Sequence, residues 1–135
     1  MPTIIPKVGR YTPEYVRWLI RAERDLAVIM GYKQVSTPIQ TAYDTNLYGI
    51  SYGTPRPGYI QHPEALPKWC RGWFYCAPLI GKYKVSIQFI DEGSAITAST
   101  AGQHYTVHVE DHCDVDHALF YAIVKAVTMR LAAIQ

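Results

Sequence analysis

Four of the five histidines fall between His104 and His117, in the run HYTVHVEDHCDVDH, together with Cys113, Asp114 and Asp116. Imidazole, thiolate and carboxylate are the ligand types of a transition-metal site. On a helix, His104, His108 and His112 would share one face. Thr106, Val107 and Val109 favour a strand instead, where residues four apart stand about 13 Å apart. That is too far for His104 and His108 to share an ion through bonds of about 2 Å. The metal candidates narrow to His108, His112 and Asp114, with Asp116, after the chain bends. Acids at a helix start are also ordinary caps. That reading is preferred, so neither metal nor cofactor is assigned.

Two catalytic readings fail on composition. His104-Tyr105-Thr106 matches the His-x-Thr element of the two-histidine phosphoesterases, which need two such elements facing each other. No second one exists, because His62 precedes Pro63-Glu64 and His108 precedes Val109-Glu110. A cysteine nucleophile needs a base and an orienting group, and no local pattern gives them to Cys70, Cys76 or Cys113. Glycine motifs for nucleotide phosphates are absent as well.

Binding chemistry is better represented. The stretch TAYDTNLYGISYGTPRPGY sets Tyr43, Tyr48, Tyr52 and Tyr59 among glycines with Arg56. Rings, free backbone amides and a guanidinium can stack a planar ring and hold an anion. Trp69, Arg71 and Trp73 follow closely enough to close the same pocket. Arg17 and Arg21, with Arg24, form a second basic set on a helix face. Competing readings make the tyrosines pins that fix a loop and the arginines a solvated face.

Regular elements must position these groups. Thr12-Pro13-Glu14 is a helix start, with Thr as N-cap, Pro at the first helical position and an acid toward the positive end of the dipole. This helix runs over 12–30, with Tyr15, Leu19, Ala22, Leu26 and Ile29 inward, and stops at Gly31. Periodicity fails across 32–71, where Pro38, Pro55, Pro57, Pro63 and Pro67 fall. Connections of that length tend to be functional or to hide short strands, and Gln34–Thr37 and Asn46–Tyr48 fit such strands. An antiparallel four-stranded sheet is expected over 73–110. Its strands are Trp73–Leu79, Lys82–Asp91 with Tyr83, Val85, Ile87 and Phe89 on one face, Ser94–Thr100, and Gln103–Glu110. The last helix, 114–134, is apolar nearly all round, apart from a polar stripe of Asp114, His117, Tyr121, Lys125 and Thr128 and the charge of Arg130. Such a helix is buried on several sides, so a further element or a second subunit must cover what one sheet leaves bare. The order gives one α+β domain, a sheet with helices on one face.

The totals agree with a folded domain: 135 residues, 49% hydrophobic, 18% charged, with 11 Tyr and 3 Trp. A net charge of +2 gives no ground for nucleic acid. The element order resembles the double-stranded RNA-binding domain, but Asp114 and Asp116 at the last helix would repel phosphate. Three cysteines without paired spacing point to a reducing compartment. With no leader pattern and no apolar run of about 18–20 residues, a cytoplasmic protein without a membrane partner is expected.

The segment DHALFYAIVKAVTMRLA looks like the ending of small phage-encoded α+β proteins of unknown function. Size, lone-domain character and missing catalytic motifs are also similar to phage anti-defence proteins. Some of those inhibit a host complex, and others sequester nucleotide-derived signals in oligomeric pockets. The resemblance carries over no site residue, and it implies a host cytoplasm. The leading expectation is a non-enzymatic binding protein, a homo-oligomer through the last helix. It would hold a small nucleotide-like anion near Tyr48, Tyr52, Arg56, Tyr59, Trp69 and Arg71, with help from Arg17 and Arg21. The alternative is an inhibitor or assembly factor binding a host protein through the Tyr-rich loop. A metal-dependent hydrolase is the third.

Overall fold

A computed structural model describes residues 12–36, 46–51 and 62–134. Helix α1 (Pro13–Met30) begins as expected, with the Thr12 side chain accepting from the Tyr15 N–H at 3.1 Å. It ends at Gly31, whose φ of 99° lets its N–H turn back onto the Ala27 and Val28 carbonyls. Tyr15, Leu19, Ala22 and Leu26 are buried, while Arg17, Arg21 and Arg24 are exposed.

The irregular middle does hide strands. β1 (Lys33–Ser36), β2 (Tyr48–Ile50) and β3 (Glu64–Ala65) form a small antiparallel sheet in that order. Gly49 is needed at its centre, because a Cβ there would lie 3.1 Å from the buried Leu66 Cδ1 and 3.4 Å from the Lys33 carbonyl oxygen.

The expected strand at 73–79 is a helix. Helix α2 spans Trp73–Tyr83, so the second sheet has three strands and not four. Trp73, Phe74 and Tyr75 favour strands as residue types. Cys76 and Leu79, buried, with Ile80 and Tyr83, half-buried, recur at spacings of three and four, and this stripe decides the element. Pro78 is accommodated on the exposed side. Lys84 then closes α2 in the left-handed conformation, at φ 53° and ψ 53°.

The second sheet is an antiparallel meander of β4 (Ser86–Ile90), β5 (Ala95–Thr100) and β6 (Gln103–His108). Its register places Phe89 opposite Ile96, and Ile96 opposite Val107, on the inner face. The outer face carries Ser86, Gln88, Thr97, Thr106, His104 and His108, linked by Thr97–Thr106 and Ser99–His104 hydrogen bonds of 2.7 Å each. This is the wet face the alternation implies.

Helix α3 (Val115–Ala133) lies across the inner face, on β5 and β6, and α1 and α2 take its other sides. Every residue from Ala118 to Val127 is buried except the half-buried Lys125. Each large apolar side chain so buried contributes about 1.5–3 kcal/mol. The cover that α3 demands is therefore supplied within one chain, and the helix gives no argument for a second subunit. Its supposedly polar stripe also turns inward at Tyr121, which is buried. Arg130 fixes the far end by donating to the Tyr83 carbonyl and, at 2.8 Å, to Thr100 Oγ1. Among the described residues, no helix is long and apolar enough to cross a membrane.

Candidate functional site

Two neighbourhoods hold the chemistry, one at the start of α3 and one beside α2. At the first, the short turn Val109–Asp111 delivers His112 into the core and leaves Cys113 and Asp114 at the mouth of α3. His112 is 1% exposed, and its Nδ1 lies 2.6 Å from the Tyr15 hydroxyl. Burial pulls the imidazole down to about 4 and pushes the Tyr15 phenol up, so both are neutral at pH 7. Around them Trp18 stacks on Tyr121 with centroids 3.9 Å apart, and Tyr105 meets Tyr121 edge-on at 5.9 Å. Lys125 Nζ stands 5.7 Å and 5.8 Å from the Tyr105 and Tyr121 ring centroids, a paired cation–π contact. A cavity of about 80 Å³ opens among Trp18, Tyr105, His108, Asp111, His112 and Tyr121.

Asp114 caps α3, its Oδ1 accepting from the His117 N–H at 2.8 Å and lying 2.8 Å from His117 Nδ1. Burial pushes the Asp114 carboxyl up, but the His117 backbone N–H and ring outweigh it and hold the group below its usual range. Cys113, Asp114 and His117 each offer a ligand atom, and the three atoms lie within 4.8 Å of one another. Of the metal candidates named from the sequence, only Asp114 belongs to this set. His108 is exposed on the outer sheet face, and His112 is engaged by Tyr15. Cys113 and His117 escaped that selection. The signal for them was the Cys-Asp-x-x-His spacing at a helix start, where residues three and four apart meet. The Cys113 thiol is pushed up by burial and by Asp114, the opposite of what an activated nucleophile needs.

The second neighbourhood begins with Trp69, whose ring lies 6.2 Å from that of Tyr32. With Tyr75, Pro67, Pro78 and Lys82 they line a groove of about 180 Å³. Next to it lies a buried ion pair that sequence reasoning missed. Arg71 Nη2 donates to Glu23 Oε1 at 2.7 Å, and Arg71 Nε and the Cys70 N–H donate to Oε2 at 3.0 Å each. Burial pushes the Glu23 carboxyl up, against the pull of Arg71 and the Cys70 amide. Arg71 is thus committed to holding α1 to the segment before α2. Burial also pushes Cys76 up to about 12 and Cys70 well above its usual range.

The remaining expected residues are dispersed. Tyr48 is half-buried in β2, 3.5 Å from Asn46 Nδ2. Arg17 and Arg21 face solvent on α1, and Arg17 meets Glu14 at 3.5 Å. Tyr52, Arg56 and Tyr59 lie outside the described residues. Among the described residues of the expected set, Trp69 alone lines the groove, joined there by Tyr32 and Tyr75.

Fold and side chains together define an α+β protein with an aromatic groove and a Cys/Asp/His cluster at a helix mouth. Comparison with protein-family models, curated proteins and solved structures gives no match.

Proposed function

We propose that the protein is a non-enzymatic binding protein whose ligand is a planar anion seated in the groove of Tyr32, Trp69 and Tyr75. The observation that carries this reading is the pairing of three aromatic residues with Lys82 around one opening, the Lys82 Nζ standing 5.4 Å from the neighbouring Tyr83 ring centroid. Rings supply stacking surface, and Lys82 supplies a charge-assisted contact at the rim. The volume suits one planar ring with its charged group outside, as in a nucleotide bound by its base. The wider reading, a phage anti-defence role in the host cytoplasm, draws on the resemblance of the last helix.

Purine mononucleotides added to the purified protein should quench tryptophan fluorescence saturably. Replacing Tyr75 and Lys82 together with alanine should weaken binding at least tenfold, since stacking on one ring is worth about 1–3 kcal/mol. Lys82 is exposed and Tyr75 partly so, so melting without ligand should change little. An absence of quenching, with no small molecule released from freshly purified protein on denaturation, would sink this reading.

A protein partner is the second reading, and one observation favours it. Phe74 is 83% exposed, with Trp73 and Tyr75 exposed beside it, and Phe89 on the edge strand is 54% exposed. The three exposed aromatics gathered at the start of α2 mark an interaction surface. A homo-oligomer would use this surface, because the central stretch of α3 is already covered. A photocrosslinker at position 74 that captures only a second copy would support self-association, and capture of a different protein would support an inhibitor or assembly factor.

A further inference from the structure

We infer that Cys113, Asp114 and His117 form a binding site for a zinc-like transition-metal ion at the start of α3. Their ligand atoms already lie within 4.8 Å of one another. Tetrahedral zinc, with bonds of about 2.0–2.3 Å, spaces its ligand atoms at about 3.5 Å. Small side-chain adjustments therefore bring the three onto one ion. The closest pair is nearly in place. Asp114 Oδ1 and His117 Nδ1 are 2.8 Å apart, as a shared proton requires, and a shared ion opens them to about 3.3 Å.

The fold sets this arrangement and not sequence proximity alone. The cap hydrogen bond from the His117 N–H fixes the Asp114 carboxylate, and the first turn of α3 fixes His117 above it. Cys113 follows directly on the buried His112, whose Nδ1 lies 2.6 Å from the Tyr15 hydroxyl. Outer contacts of this kind orient ligands at metal sites. Access is open, because Asp114 is exposed and Cys113 and His117 are half-buried. A thiolate with an imidazole selects zinc-like ions over magnesium or calcium. The thiol gives its proton to solvent when sulfur binds the ion. Three protein ligands leave the fourth position to water or to an exogenous group.

Cobalt(II) is the probe, added to the metal-stripped full chain without a histidine tag. One equivalent should bind, with visible bands of tetrahedral cobalt and a sulfur-to-cobalt charge-transfer band. Cys113→Ser should abolish the charge-transfer band. Asp114→Asn, which preserves an N-cap, and His117→Gln should each weaken binding at least tenfold. A folded wild type that shows no charge-transfer band, or a band that survives in Cys113→Ser, overturns the assignment. Protection needs no variant: zinc should slow iodoacetamide alkylation of Cys113 at least tenfold, read by peptide mass, and an unchanged rate would overturn it equally.

Discussion

Arg71 shows how a single residue changes meaning once its surroundings are known. An arginine after an aromatic reads as an anion clamp, yet here both prongs of its fork and a backbone amide converge on Glu23, which is fully buried. Removing one partner of such a pair strands the other charge away from water. Glu23→Ala should therefore lose about 3–5 kcal/mol in urea unfolding. The double change Glu23→Leu with Arg71→Met should lose much less, since apolar replacements leave no orphaned charge. Equal losses in both variants would show that packing, not charge, is what the pair contributes. The partners stand 48 positions apart, so no local pattern announced them.

At the scale of elements, legibility followed the strength of local signals. Helix α1 was readable because cap, proline, apolar stripe and terminal glycine agree. Strands β4 to β6 were readable because polar and apolar residues alternate, but the first begins at Ser86 and not at Lys82, since Lys82 and Tyr83 end α2 and Lys84 caps it. Helix α2 was misread because Trp73, Phe74 and Tyr75 are strand-prone types, none of which is buried, so their propensity decides nothing. The deciding stripe of Cys76, Leu79, Ile80 and Tyr83 is short and carries a proline. The end of this helix can be improved. Lys84 holds the left-handed cap at φ 53°, a conformation that disfavours any residue with a Cβ by about 1 kcal/mol. Lys84→Gly should raise the stability by about 0.5–1 kcal/mol, read as a higher urea midpoint at unchanged slope. A lower midpoint would mean that the lysine side chain contributes more than its backbone costs.

Across the whole molecule, the sequence correctly required α3 to be covered on several sides and could not say by what. A one-dimensional pattern records that a helix face is apolar, not whether its cover comes from the same chain. Here α1, α2 and the second sheet suffice. A charge placed in this core should consequently abolish folding and not dissociate an oligomer. Ala126→Glu buries an unpaired carboxylate at a fully buried position and should leave no cooperative thermal transition. Phe74→Ser, at the most exposed aromatic among the described residues, should keep the transition and its midpoint and reduce any concentration-dependent association seen in sedimentation. A folded Ala126→Glu protein that has merely become smaller would restore the last helix as a subunit interface.

The enclosure of α3 also bears on how the chain is made. Tyr15 and His112 meet across 97 positions, and the inner face of α1 finds its cover on a helix synthesised long after it. While the polypeptide leaves the ribosome, Leu19 and Leu26 therefore wait beside an unfinished interior, a period of exposure that chaperones exist to guard. A premature stop before residue 118 would yield no smaller working version of the protein. It would yield a peptide with a capped helix and nothing to close around.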